Sequence, residues 1–299
     1  MNTKKSFHLN NWDDFEVVHN ETQISDAKSY YKSYKMFRNI LNDLPKSELI
    51  NRGWMTSKDD LASMVPLFQS IHSNTLGGIF RKSDTSNIAL CSAWQARVST
   101  TAKLLIITKQ IDDFNGINKN DLKDIAHLSP DETIIKKLPE ILAKKGIVLV
   151  YERALPRMKL DGVVFKLESG HPVIGISFRY PRLDNFWFTL MHELAHINLH
   201  FDHLLDPIFD DLDLESEKTD IIEIQANRLA KDSFVARSVW RNCKAKYTRD
   251  VKDIIDFASE IGIHPAIAAG MLQKETNSYN IYRKIIDKVN IRKEIFGDE

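Results

Sequence analysis

His192-Glu193-Leu194-Ala195-His196 sets two imidazoles four positions apart, with a carboxylate directly after the first. On an α-helix, residues four apart differ by about 40° in direction, so both rings project from one face. Such a pair can bind one Zn²⁺ at about 2.0–2.1 Å per nitrogen. Glu193 is offset by one residue, so it can reach a water beside the ion without being a ligand and act as its general base. In a chain with 10 histidines this pentapeptide is expected by chance only about 0.02 times. A catalytic site also needs a third protein ligand and an open fourth position.

The third ligand is expected at Glu223, in Glu223-Ile224-Gln225-Ala226-Asn227. Asn227 falls on the same helical face and can orient a ligand imidazole through its free N–H. Ile221, Ile222, Ala226 and Leu229 predict that this helix is largely buried. His200 continues the series from His196 and is the rival ligand. Three turns of one straight helix, however, spread the ligand atoms over more than about 10 Å. A place behind the ligands or at the helix terminus suits His200 better. His203 and His171 read as surface residues. Tyr247, Arg228 and His264 could each stabilise a tetrahedral oxyanion, and the sequence does not choose among them.

The elements that must position these groups follow from periodicity and punctuation. Residues 1–25 read as a polar arm. Apolar and aromatic residues recurring every three or four positions predict a helix from Asp26 to Leu44, ended by Pro45. Further helices are expected over Lys58–Ile71, with Ser57 as N-cap, and over Leu90–Ile111, with a loop at 74–87 between them. Two shorter helical patterns follow between Asp121 and Lys145, the second opened by Ser129-Pro130 and stopped by Gly146. The period then changes, and β-branched runs at 146–151, 162–167 and 172–177 predict three strands. Helices resume at 185–201, with Asp184 as N-cap, and at 217–240, 249–261 and 265–274. The fold class is α+β. The organisation is an arm (1–25), a helical regulatory or partner-binding region (26–145), a zinc-binding catalytic domain (146–275) and a C-terminal tail or helix (276–299).

Composition narrows the function classes. The 299 residues are 43% hydrophobic and 27% charged, an ordinary globular balance. Lys+Arg and Asp+Glu both number 41, so no global field draws the chain to nucleic acid or an anionic membrane. Cys91 and Cys243 form no disulfide framework and fit a reducing compartment. With no apolar run near a membrane span and no secretory signal, a cytoplasmic location and no membrane partner are expected. An acidic run, Asp202–Asp220, reads as a solvated loop rather than a lid. The basic stretch Arg237–Lys252 reads as an ordinary charged helix face.

Ile174-Gly-Ile-Ser-Phe-Arg-Tyr180, followed by Leu183 to His196, resembles the core of the ImmA/IrrE-like zinc metallopeptidases. Glu223 to Ala230 is similar to that family's second motif, and His264 to Gln273 to the segment after it. Glu48–Trp54 and Ala93–Val98 resemble the family's middle region, so the likeness spans roughly residues 45–275. It implies a zincin-like domain with His192, His196 and Glu223 as zinc ligands and Glu193 as base. It also implies a protein substrate, a transcriptional repressor or antitoxin, in a toxin–antitoxin-like, stress-response or phage-defence setting. Three departures stand out. No helix-turn-helix precedes Glu48, so direct DNA binding is not expected. Met271 stands where the related segment usually has Arg, and Gln225 where a second Glu is common. The alternative is a non-cleaving zinc-binding regulator that acts through protein–protein contacts.

Overall fold

The computed structural model describes residues 21–72, 85–204 and 215–297. The expected arm up to residue 20, the expected loop as far as residue 84 and acidic residues 205–214 lie outside these. The N-terminal part is helical: α1 (Glu21–Asp43), α2 (Lys46–Asn51), α3 (Val65–His72), α4 (Thr85–Lys109), α5 (Lys119–Ala126) and α6 (Leu138–Ala143). Then come β1 (Val148–Tyr151), β2 (Gly162–Lys166), β3 (Pro172–Ile176), α7 (Leu183–His200) and α8 (Glu215–Phe234). The chain continues through α9 (Arg237–Arg241), α10 (Ala245–Thr248), α11 (Val251–Ile261), α12 (Pro265–Thr276), α13 (Arg283–Ile286) and α14 (Ile291–Phe296). Many helices around a small sheet make the α+β class plain.

The sheet has the order β1-β3-β2, with β1 parallel and β2 antiparallel to central β3. Alternate strand residues point to opposite faces, and here each face meets its own core. Val148, Val150, Val163, Phe165 and Val173 pack with α1, α3 and α4. Leu149, Ile174 and Ile176 pack with α7 and the helices around it. In packing, Ile117 to Leu142 side with the α7 core, as do Tyr282, Ile285, Ile286 and Ile291 near the C-terminus. The C-terminal segment is thus docked helix. At Gly175 of β3 an added Cβ would sit 2.9 Å from Trp94 Cη2 and 3.0 Å from Val98 Cγ1. That close approach lets α4 lie flat on the sheet.

Several local expectations are corrected. Residues 21–25 are helical, α4 already begins at Thr85, and α2 follows Pro45 at once. Ser57 caps nothing; α3 starts at Val65 after a short 3-10 turn. Asp60 instead gathers the Thr56 and Ser63 amides and hydroxyls, which hold its carboxyl well below the usual range. Asp184 is not the N-cap of α7; Arg182 occupies that position, and Asp184 is buried in the first turn. There it accepts both guanidinium bonds of Arg182, at 3.0 and 2.6 Å, where a carboxylate also complements the helix dipole. The helix expected over 217–240 breaks at Val235–Ala236. Adjacent Phe234 and Val235 are both buried, whereas a continuing helix would send them about 100° apart.

Candidate metal centre

Helix α7 owes its position to an unbroken apolar stripe. Leu183, Phe186, Trp187, Leu190, Leu194 and Ile197 recur at helical spacing and are all buried. They press the helix against β2 and β3 on one side and against α8 and α12 on the other. The turn of α7 facing α8 then carries the polar residues. His192 Nε2 and His196 Nε2 lie 3.0 Å apart. Glu223 of α8 brings Oε2 to 3.3 Å from the first and Oε1 to 3.6 Å from the second. Ligand atoms of these three residues all fall within 4.8 Å of one another. Two ligands bound tetrahedrally at about 2.0–2.1 Å would stand about 3.3–3.4 Å apart, so the donor set fits a zinc ion. The His192 and Glu223 side chains stay 22% and 36% exposed, so the cluster opens to solvent, as a site with a free fourth position must.

The electrostatics favour that use at His196 and Glu193 and oppose it at His192. Burial opposes charging His192, but hydrogen bonding to Glu223, the Glu193 and Glu223 charges and a hydrogen bond that the ring donates to Asn227 outweigh it and raise its pKa. Burial, followed by the neighbouring His192 charge, lowers that of His196. Neutral imidazole is the form that binds metal. Glu193 is buried beside the triad, and burial pushes its pKa up to about 7. The Glu223 and Asp161 charges push the same way and that of His192 opposes them. The start of β2 makes room for this carboxylate. A Cβ on Gly162 would overlap the Thr189 methyl and come within 2.9 Å of Glu193 Oε1.

Other expected site residues fall elsewhere. His200 stays outside the ligand cluster; its ring lies 5.6 Å from that of His196 and hydrogen-bonds the Ile222 backbone of α8. It ties the two ligand helices together. Asn227 does reach His192. His264 caps α12 through Ala266 N–H and meets Glu132 at 3.3 Å. Tyr247 is 79% exposed on α10, and Arg228 points to Asp232 at 3.7 Å. His171 is buried in the β2–β3 turn with Ser169, not at the surface, because the tight turn folds its ring back. Helix α8 is only partly buried, with Ile221 54% and Ile224 64% exposed. Its inner face needs only the small Ala226 and Ala230 against α7. Gln225 is exposed, which leaves Glu223 as the inward carboxylate. Met271 lies in the α12 core. The basic stretch is consumed locally, with Lys246 and Trp240 both on Glu275 and Lys244 on Asp253. Sequence reasoning missed Asp161 and Gly162; an Asp-Gly pair opening a strand beside a catalytic helix was the available signal.

Two histidines and a glutamate converge from two helices, with a buried carboxylate alongside, in a group that could hold one metal ion. The family model described as the IrrE N-terminal-like domain, Peptidase_M78, matches residues 143–272, less than half of the chain, and supports an ImmA/IrrE-like peptidase family, which is in general zinc-dependent. No curated protein matches the chain. Among the described residues no helix is long and apolar enough to cross a membrane.

Proposed function

We propose that this protein is a zinc-dependent endopeptidase that cuts a peptide bond in a specific regulatory protein, a transcriptional repressor or antitoxin-like partner, in the cytoplasm. The observation that carries the reading is the convergence of His192, His196 and Glu223 within 4.8 Å, beside buried Glu193. These three hold the metal, and Asn227 fixes the His192 ring. Zinc in this site supplies a Lewis acid that polarises the scissile carbonyl and brings water deprotonation near neutral pH. Glu193, with a pKa near 7, accepts the proton released at its carboxylate and returns it to the leaving amine, a role best filled by a group poised at the working pH. In the zincin-like reading, α7 is the active-site helix and β2 the strand that flanks it. The choice of a regulatory protein as substrate rests on the family resemblance. A purely structural metal site has no use for a buried base, which favours hydrolysis over a silent regulator.

Metal content by mass spectrometry is the test, on wild type, His192→Ala and Glu223→Ala. About one zinc per chain, lost in both variants, is the expected result. Incubation with a native proteome, with labelling of new N-termini, should then show cuts by wild type and none by Glu193→Gln. Absence of zinc from the wild type would sink the reading. Bound zinc without new termini would leave a zinc-binding regulator that works by protein–protein contact.

A further inference from the structure

A second concave site lies where the two halves meet, at the carboxyl ends of β1 and β3. It is a cavity of about 780 Å³, in the range of small-molecule sites. Its charged lining is one-sided: Arg153, Arg157, Lys159, Arg179 and Arg292 face a single carboxylate, Asp43. That is a local excess of four positive charges in a chain whose formal net charge is zero.

Three of the five cations are held in place. Arg292 donates to Phe178 O at 2.9 Å and to Arg179 O at 2.7 Å. The Arg153 guanidinium sits 4.8 Å from the Phe296 ring centroid, and Arg179 donates to the Tyr180 hydroxyl at 2.9 Å. None of these bonds neutralises charge. Among the described residues only Arg179 of the four arginines has a carboxylate near, Asp161 at 3.7 Å. Two lining residues, Arg157 and Phe178, are held at φ +69° and +51°. Residues other than glycine rarely adopt that conformation, and it clusters at ligand sites. Pro45 and Pro156 are apolar lining residues that reach the surface, and Leu155, Met158 and Phe178 lie buried.

We propose that this cavity binds a small phosphate-bearing anion with an apolar or aromatic body, of the nucleotide kind. Arginine forks match phosphate oxygens in pairs, and Pro45 and Pro156 offer the body an apolar contact. A crevice outside the carboxyl ends of neighbouring parallel strands is also where open α/β sheets take such ligands. The site shares no residue with the metal centre, so binding is measurable whether or not the protein cuts anything.

The probes are sodium triphosphate, ATP and a hexaglutamate peptide, each titrated calorimetrically at matched ionic strength. Wild type is expected to bind triphosphate saturably and ATP more tightly. Arg157→Glu/Lys159→Glu reverses two exposed lining charges and should weaken both by about tenfold or more. Lys103→Glu, on the exposed face of α4 and outside the cavity, should change neither. Should the double variant fail to fold, Arg157→Gln takes its place with the same expected direction. Equal affinity for triphosphate and ATP would overturn the apolar-body part of the proposal and leave an inorganic polyphosphate as ligand. Absence of saturable binding by either phosphate probe, unchanged binding by the cavity variant, or binding of hexaglutamate alone would each overturn the proposal.

Discussion

The two faces of the sheet use the same strands and bury different chemistry. On the α4 face the buried polar side chains are neutral, such as Ser92, Gln95 and Ser99. On the other side stand buried carboxylates and imidazoles, among the described residues Asp184, Glu193, His196, His200 and His264. Burying an ionisable group costs free energy unless it is paired or changes its protonation state. Asp184 is paired with Arg182, whereas Glu193 is moved to a pKa near 7. One face therefore buries neutral side chains alone, whereas the other adds to its apolar core an ionisable group that burial shifts. Substitutions on the two faces should separate cleanly.

The largest effect is expected from Glu193→Gln. The amide keeps the shape and leaves His192, His196 and Glu223 intact, but it cannot take up a proton. Cleavage should fall by about 10²–10⁴ or more, with zinc content unchanged by mass spectrometry. Retained cleavage would make Glu193 a bystander. The back-face counterpart is Trp94→Ala. This indole is fully buried, donates to Glu152 O at 3.0 Å and covers Gly175. Its removal should cost about 3–5 kcal/mol, seen as a fall of about 10 °C or more in Tm, while zinc stoichiometry stays at the wild-type value. Loss of zinc from a folded Trp94→Ala protein would break the separation of the faces.

The Glu193 shift also has a thermodynamic signature. Its folded pKa is about 7 against an ordinary 4.5. Between those values the folded protein keeps a proton that the unfolded chain releases. The stability from neutral Glu193 is thus complete below pH 4.5 and lost as pH rises through 7. In metal-free protein the stability difference between wild type and Glu193→Gln should decline across that window by at most about 3 kcal/mol. The opposite shift of His196 is common to both proteins and drops out. Chemical denaturation at four or five pH values would show it; a flat difference would mean that the carboxylate is not desolvated.

How much of this was legible follows from the range of each signal. The three strands, α7 and the His192–Glu193–His196 constellation are written in local spacing, and the structure places them where that spacing says. Glu223 was readable because Asn227 marks the same face one turn later. The pairing of α4 with the sheet was not, because nothing near Trp94 records a contact with Gly175, 81 positions away. Asp184 misled because an acid ahead of an apolar run reads as a cap. Its real partner, Arg182, is joined by Gln273 from α12, which only the folded chain brings near. Helix α2 was hidden because Pro45 signals an end and a beginning alike.

Gly162 is where the catalytic face tests its tolerance most finely. Glycine in a strand interior lowers β-propensity, so its presence at the start of β2 needs a packing reason. The neighbours supply it: one added methyl would overlap the Thr189 side chain and stand 2.9 Å from Glu193 Oε1. Gly162→Ala should therefore destabilise by about 1–3 kcal/mol through overpacking. The same methyl crowds the carboxylate proposed to move the proton, so cleavage should fall by more than that loss of stability explains. Zinc content should hold, since the proposed ligands lie on α7 and α8. Tm, zinc analysis and single-turnover cleavage on the same preparation separate the effects. Reduced Tm with full cleavage would show that Glu193 has slack to retreat, and that the close approach of β2 serves packing alone.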